Sequence, residues 1–386
     1  MRLPASLSLL LLATACIEDV SSPGVCPDFC PPTLIQIVDT VISGSIARDS
    51  AYRGYLPTHL AVSMQVTTGG AIESQGVIRF RRFADSVYMD SAATLRRPIL
   101  AVDSFAVNLI VDARSPGTGD FELAIYRLPI TVDSTTTYAD LQSTFADSVE
   151  IASAMFSEVE ETDTIAVVIP GDGFPTLDLD SAVAVGIALR SVEPAFVDFR
   201  TFDRSLNSLW ITRFVQADSA DGQAAARADT TFSAFDTFVF SDPPVAGPAV
   251  LGVGGSPSSR ALLKVDLPAA VVDSSSVLRA TLLLVPAEPV VGAPGDTIRI
   301  VAEGLSADIG PKSPIRQVPT DSIAAYSGLA TIGSTDTLRI DVTHVVAPWR
   351  SDSTIVRALM LRAVREGGTV GEFRFHSSVS AMGTPA

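Results

Sequence analysis

Residues 121–126 read Phe-Glu-Leu-Ala-Ile-Tyr, a run in which large apolar side chains occupy every second position. A period of two places one set of side chains in a core and the other toward solvent, as in a half-buried β-strand. The same alternation recurs at 197–200, 338–342 and 372–376. Turn-forming residues punctuate the chain at 115–117, 170–173, 254–257 and 293–296. Since long helical periodicity is scarce, the sequence predicts an all-β protein of antiparallel β-sandwiches.

The composition excludes several classes of function. The chain has 386 residues, of which 47% are hydrophobic and 18% charged, so it is not a disordered acidic segment. Its 27 basic and 43 acidic residues give a net charge of −16, which opposes binding to a nucleic-acid backbone. Three His and three Cys leave little material for a transition-metal site or a Cys/His nucleophile pair. We expect no nucleic-acid partner.

The first fifteen residues are interpreted as an export signal. A positive start at Met1-Arg2 precedes the apolar run 7–12, and the small residues 13–15 lead to Cys16. Small residues directly before a cysteine resemble a bacterial lipobox, which implies that Cys16 is lipidated. Ile17 in place of Asp favours the outer membrane, so we expect a cell-envelope lipoprotein that faces the periplasm or the cell surface. The alternative is ordinary signal cleavage nearby, with Cys16 free.

Residues 16–34 are interpreted as a tether rich in Pro and Cys. Outside the cytosol, Cys26 and Cys30 are expected to form a disulfide. Two interpretations remain: a staple that stiffens the tether, or a redox pair. The staple is favoured because redox pairs usually have two intervening residues, and this pair has three.

The chain repeats itself once. Residues 180–191 align with 352–363, and the apolar run 77–80 matches 262–265. An internal match of this kind predicts two copies of one β-sandwich. Each copy has enough residues to bury a core of its own.

These matches place a first module at 35–215 and a second at 232–386. Between them, residues 216–231 are small and polar, and they are interpreted as a linker. The first module closes with a strand-like run at 208–214, whose counterpart is missing before Ala386. We expect either a longer reading frame or a second module with an open sheet edge.

Several segments of the second module resemble one family. Residues 236–239, 251–254 and 260–267 read Asp-Thr-Phe-Val, Leu-Gly-Val-Gly and Arg-Ala-Leu-Leu-Lys-Val-Asp-Leu. Residues 340–349 and 373–378 read Ile-Asp-Val-Thr-His-Val-Val-Ala-Pro-Trp and Phe-Arg-Phe-His-Ser-Ser. Together they resemble DNRLRE-type modules, extracellular β-sandwiches grouped with alginate-binding carbohydrate modules. The resemblance implies a jelly-roll-like fold and a glycan ligand, and the first module is a diverged version without the Trp segment.

Basic residues occupy matching positions in the two copies. The pairs are Arg79 with Lys264, Arg190 with Arg362, and Arg200 with Arg374. If these side chains point outward in a row, their cationic groups would bind the carboxylates of an acidic polysaccharide. The alternative is that outward strand positions simply require polar residues, and the net charge of −16 favours this alternative.

Four aromatic residues are candidates for sugar contacts. Tyr52 and Tyr55 are placed in a polar loop, where their rings would be exposed. Trp349 could stack on a sugar or pack over the end of the sandwich on a short helical turn capped by Thr343. Packing is favoured for Trp349, and the same role is favoured for Trp210.

Many strands begin with Asp-Ser or Asp-Thr. These pairs lie at 103–104, 163–164, 180–181, 296–297 and 336–337. Their carboxylates could bind structural calcium or cap the backbone of a turn. Turn capping is favoured because no dense calcium-binding loop is present, so we expect no cofactor.

No catalytic motif is recognised. The three His residues lack a motif partner, and no nucleophile elbow, zinc-protease helix or phosphate loop appears. We therefore expect a lipid-anchored protein that is not an enzyme and that binds an extracellular or cell-wall polysaccharide. The alternative is a structural or adhesive surface protein without a glycan ligand.

Overall fold

The computed structural model describes residues 37–116, 119–145, 150–157, 159–174, 182–205, 207–219, 223–247, 249–316 and 325–380. The described residues from 43 to 380 belong to one compact unit, and 37–42, which belong to a separate unit, contain no helix, strand or turn. The signal, Cys16 and the predicted disulfide between Cys26 and Cys30 lie outside the described residues.

The described residues form strands and a few short helices, which confirms the all-β prediction. The strands of the first half are β1 (Ile46–Arg53), β2 (Ser63–Thr68), β3 (Ser74–Phe80), β4 (Ser86–Tyr88), β5 (Arg96–Arg114), β6 (Phe121–Arg127), β7 (Glu150–Phe156), β8 (Thr164–Pro170), β9 (Val183–Arg190), β10 (Ala195–Arg200), β11 (Leu209–Asp218) and β12 (Ala224–Phe240). Those of the second half are β13 (Val250–Gly254), β14 (Ser259–Val265), β15 (Thr281–Leu284), β16 (Thr297–Gly304), β17 (Ala325–Thr331), β18 (Leu338–Asp341), β19 (Ala358–Ala363) and β20 (Glu372–His376).

The α-helices are α1 (Tyr138–Leu141), α2 (Ala269–Ser274), α3 (Thr343–Val346) and α4 (Pro348–Ser351). Single 3₁₀ turns lie at Thr58–Leu60, Gly171–Gly173 and Gly310–Lys312. Among the described residues, no helix combines the length and the apolarity that a membrane crossing requires.

The first sandwich packs two antiparallel layers around one core. One layer runs β3-β9-β6-β7 and the other β8-β5-β10-β2, and the layers meet at the corner between β2 and β3. Alternate residues of each strand enter the core, among them Leu123 of β6, Val107 of β5 and Phe199 of β10. This is the alternation that the sequence predicts, because a strand with one buried face must place apolar residues at every second position.

The second sandwich repeats this plan. One layer runs β14-β19-β16-β17, and β18 and β15 lead to the opposite layer, which contains β20 and β13. An isolated bridge between Pro286 and Phe375 joins the extension of β15 to β20. The core contains Leu263, Leu361 and Phe373, all fully buried or nearly so.

The two sandwiches exchange their first strands. In the second sandwich, β14 pairs with β19 on one side and with β1 on the other, over Ile46–Arg53. In the first sandwich, the equivalent strand β3 pairs with β9 on one side and with residues 233–240 of β12 on the other. The connections from β1 to β2 and from β12 to β13 are both nine residues long. β1 and the end of β12 therefore have the same place in their own repeats. Each of them, however, pairs with a strand of the other repeat.

This exchange corrects the predicted division of the chain. The first predicted module, 35–215, contributes β1 to the second sandwich, and the second, 232–386, contributes the end of β12 to the first. The predicted linker over 216–231 is also wrong, because its described residues belong to a hairpin in which β11 and β12 pair from Trp210–Phe232 to Asp218–Ala224. Its alanines resemble a linker in composition, but they alternate with residues such as Arg227 and Asp229 along a strand.

Candidate functional site

A cleft lies on the outer side of the second sandwich, where β1 and β14 pair. Its volume is about 340 Å³, and the segment after β16 forms the opposite wall. Its lining residues are Arg48, Asp49, Ser50, Tyr52, Leu262, Leu263, Lys264, Leu305, Asp308, Ile309, Gly310 and Ala358. The strand exchange thus brings Tyr52 and Lys264 to one site. In the sequence they were separate candidates, Tyr52 for a sugar contact and Lys264 for the row of cationic groups.

The cleft combines an apolar floor with two cations. Leu262 and Tyr52 belong to a small apolar cluster beneath the covering segment. Arg48 and Lys264 are register partners, and their side chains are 66% and 55% exposed. Both approach Asp308: Arg48 Nη2 lies 2.8 Å from its Oδ2, and Lys264 Nζ lies 3.9 Å from the same atom. The two cations of the cleft thus lie near the same carboxylate, and the lining contains a second acid, Asp49.

The predicted loop position of Tyr52 is wrong, because this residue lies in β1. Its outward position on that strand follows from the register, because the neighbouring Ala51 packs against the core. Gly310 turns the opposite wall with a left-handed φ of +79°, and a Cβ there would lie 3.8 Å from the Tyr52 hydroxyl. The Tyr52 ring therefore forms one side of the cleft, opposite Gly310.

Tyr55 lies in the loop after β1, as predicted, but its ring is not exposed as predicted. The guanidinium of Arg260 lies over its ring, 4.3 Å from the centroid, and the hydroxyl is buried with no hydrogen-bond partner among the described residues. Burial raises the pKa of Tyr55. Tyr55 is not among the residues that line the cleft, and Arg260, which packs on its ring, is paired with Glu366 at 2.6 Å.

The predicted row of cationic groups is not formed. Arg79, the counterpart of Lys264, donates to the carbonyl oxygens of Ile130 and Val132 at 3.3 and 3.0 Å. In the first sandwich the segment after β6 thus covers the face on which the second sandwich has its cleft.

The remaining arginines of the predicted row are paired with acids. Arg190 lies 2.7 Å from Glu150, and Arg362 donates two hydrogen bonds to Glu303 at 2.8 and 3.0 Å. Their positive charges are neutralised within the sheet, so neither presents a free guanidinium to a polyanion.

The last pair, on β10 and β20, is also engaged. Arg200 lies 3.3 Å from Asp112, while Arg374 is buried and contacts Glu288 at 2.9 Å and Glu372 at 3.0 Å. Acidic side chains thus neutralise these arginines as well. The net charge of the sequence shows that acids are in excess, but it does not show which basic residues they contact.

The two tryptophans have different environments. Trp349 is 1% exposed and packs into the second core, as favoured from the sequence, although Val342 rather than Thr343 is the N-cap of α3. Trp210 is half-buried on the outward face of β11, whose inward residues alternate with it. Packing in a core is therefore correct for Trp349 and wrong for Trp210.

A buried polar network joins the two sandwiches, and no pattern in the sequence predicts it. Gln65 of β2 donates to Asp296 Oδ2 at 2.9 Å and accepts from the backbone N–H of Val370 at 2.9 Å. Arg365 lies 2.5 Å from Asp198 and 3.4 Å from Asp296. The side chains of Asp198 and Asp296 are 1% and 3% exposed. Arg365 supplies the positive charge that offsets the cost of burying these carboxylates.

Asp198 is incompletely satisfied in this network. Its Oδ1 is buried and has no partner among the described residues. Burial raises the pKa of Asp198 to about 7, although Arg365 acts in the opposite direction. In the sequence Asp198 resembles an ordinary outward strand residue; only the packing of the second sandwich against that face buries it.

Two of the acids that begin strands show turn chemistry. Asp163 Oδ2 accepts from the backbone N–H of Glu160 at 2.8 Å, and Asp296 Oδ1 accepts from the N–H of Thr297 at 2.7 Å. Asp103 instead accepts from the amide of Gln216 at 2.6 Å. Across the described residues, no group of three or more His, Cys, Asp or Glu side chains has a metal-binding arrangement.

Comparisons with known proteins assign no family. No family model and no curated protein matches the chain. Among solved structures, a nodavirus of Macrobrachium rosenbergii is similar at 10% identity, over 91% of this chain and 98% of that chain, with a TM-score of 0.15. A likeness at that TM-score carries no inference about fold or function.

Proposed function

We propose that this chain is a non-catalytic, lipid-anchored protein of the cell envelope that binds an acidic polysaccharide in the cleft of β1 and β14. The observation that carries the proposal is the convergence of Tyr52, Arg48 and Lys264 on one cleft of about 340 Å³. An aromatic ring offers a surface to the C–H groups of a sugar, and adjacent cations offer ligands to its carboxylate. The resemblance of the second module to DNRLRE-type modules supports the same ligand class.

Binding would redistribute the charges around Asp308. A sugar carboxylate that approaches Arg48 and Lys264 competes with Asp308 for both cations. Since Arg48 is mostly exposed, its ion pair with Asp308 contributes little stability and is readily exchanged. We expect weak binding that declines with added salt.

Affinity electrophoresis tests this proposal with the full chain carrying Cys16→Ser, which removes the lipidation site. Migration through a gel containing alginate should be retarded relative to a gel without polysaccharide. Arg48→Ala and Tyr52→Ala should each abolish most of the retardation. Arg127→Ala is a matched control, because it removes one exposed strand arginine of equal charge from outside the cleft.

The result that contradicts the proposal is unaltered migration in alginate, or equal losses for Arg48→Ala and Arg127→Ala. Labelling with a palmitate analogue tests the anchor separately. The wild-type chain should incorporate the label, and a Cys16→Ser chain that still incorporates it would refute the assignment.

A structural or adhesive role is the second candidate. The observation in its favour is that the exchanged strands and the network around Arg365 join the sandwiches through many contacts. A chain built in this way suits a spacer on the cell surface that resists pulling forces. Absence of retardation in every polysaccharide gel, with the fold intact, would favour this role.

A further inference from the structure

Four neighbouring strands of the first sandwich present an open outward face. They are β8, β5, β11 and the first part of β12, in that order. Three rows of directly opposed residues cross them: Ala166-Asn108-Trp210-Phe232, Val168-Ala106-Thr212-Thr230 and Pro170-Ser104-Phe214-Ala228. We call these twelve residues the neutral grid.

The neutral grid has no charged side chain, in a chain with 70 charged residues. Val168 and Phe214 are 59% and 41% exposed, whereas Ala106 between them is 7% exposed, so no described part of the chain covers the rims of this face. Asp103 and Asp112, which flank the grid residues 104–108 on β5, accept hydrogen bonds from Gln216, Arg200 and Arg204. The grid is thus a contiguous uncharged face on a chain with a net charge of −16.

The grid alternates aromatic rings with hydrogen-bonding groups. Trp210 and Phe214 stand four residues apart on β11, about 13 Å along the strand. Between and beside them lie Thr212 and Thr230, whose hydroxyls are 3.1 Å apart, and the half-buried Asn108. Apolar C–H faces and hydroxyl edges are the two kinds of surface that a pyranose chain offers.

The dimensions argue against a protein occupant. Four strands about 4.8 Å apart and three rows about 6.7 Å apart span roughly 14 Å in each direction between outermost Cα atoms. That is roughly 200 Å², whereas a stable protein interface buries about 800 Å² on each partner. A second copy of the chain would also bring a further net charge of −16 close to the first.

We propose that the neutral grid binds the flat side of an uncharged polysaccharide chain. The absence of charge suits a neutral ligand, because no ionic group has to be desolvated on either side. This site is separate from the cleft of β1 and β14, and its ligand lacks the carboxylates that the cleft would recognise. The chain would thereby hold neutral and acidic glycans at two places.

Sedimentation with insoluble cellulose and chitin tests the proposal on the full chain carrying Cys16→Ser. We expect co-sedimentation with at least one of the two that persists in 0.5 M salt, since no ion pair contributes. Trp210→Ala and Phe214→Ala should each weaken binding at least about tenfold. Thr212→Glu, which places a charge on the face without emptying the core, should do the same.

Tyr326→Ala is the matched control, because Tyr326 is a 50% exposed aromatic residue on β17 of the other sandwich. It should leave co-sedimentation unchanged, as should Arg48→Ala in the cleft of β1 and β14. Circular dichroism should show that each grid variant retains its strands.

Three outcomes would overturn the proposal. The first is no co-sedimentation with either polysaccharide, and the second is an equal loss in Tyr326→Ala. The third is a wild-type dimer that Phe214→Ala dissociates, which would make the grid a contact between copies. Loss of alginate retardation in Arg48→Ala with cellulose or chitin binding retained would confirm that the two sites are independent.

Discussion

The two tryptophans provide one optical probe in each sandwich, and they allow the strand exchange to be tested. The chain has two Trp residues, Trp210 in the first sandwich and Trp349 in the core of the second. Trp349→Phe leaves Trp210 as the reporter of the first sandwich, and Trp210→Phe leaves Trp349 as the reporter of the second. Because each sandwich pairs with a strand of the other, we expect both fluorescence signals to change at the same urea concentration.

A core substitution confined to one sandwich makes this test quantitative. Leu123 is fully buried in the first core, and Leu123→Ala should lower the free energy of unfolding by about 3 kcal/mol. In a single cooperative unit, the midpoint reported by Trp349 should fall by as much as that reported by Trp210. The reciprocal substitution Leu361→Ala, in the fully buried core of the second sandwich, should likewise lower the midpoint of the Trp210 signal.

Independent behaviour would refute the reasoning. If Leu123→Ala shifts the Trp210 transition and leaves the Trp349 transition in place, the sandwiches unfold separately. The exchanged β1 and β12 would then contribute too little to couple them. Two resolved transitions in the otherwise unaltered single-Trp chains would lead to the same conclusion.

Three further substitutions probe the junction and one close backbone approach. Arg365→Ala leaves buried carboxylates without a counter-ion, and chemical denaturation at pH 8 should show a loss of roughly 3 kcal/mol. Because burial raises the pKa of Asp198 to about 7, the contribution of this carboxyl to stability should be greatest below about pH 4 and fall as the pH rises through 7. The stability difference between wild type and Asp198→Asn should therefore change by a few kcal/mol between about pH 4 and about pH 8, and a difference that does not depend on pH would contradict this. Gly171→Ala would place a Cβ 2.2 Å from the Val102 carbonyl oxygen and should lower the melting temperature, whereas Gly328→Ala, with open space around it, should not; equal shifts would exclude the steric explanation.

The candidate cleft was predictable only in part. Tyr52 and Lys264 stand out in the sequence as an aromatic and a basic residue, but they are 212 positions apart and were assigned to different modules. The pairing of β1 with β14 brings them together, and no local pattern specifies that pairing. The arginine row failed for a related reason, since acids that neutralise it come from neighbouring strands, as Glu303 does for Arg362.

The buried network illustrates the same limit. Alternation correctly placed Asp198 on the opposite side from Val197 and Phe199, which enter the first core. An outward position normally means solvent, yet the second sandwich covers this one and buries the carboxyl. Burial of an outward residue depends on how whole layers pack, which the residues of one strand do not report.

Local alternation was sufficient to predict the strands and their buried faces, because a period of two directly reflects the geometry of an extended backbone. The repeat likewise showed that β3 and β14, or β9 and β19, are equivalent, since equivalent strands bury similar side chains. The partner of each first strand, the cleft and the neutral grid instead required the folded chain. Backbone hydrogen bonds between strands are nearly independent of side-chain identity, so the alternation within β1 and β12 predicts that they are strands but not which sandwich each one joins.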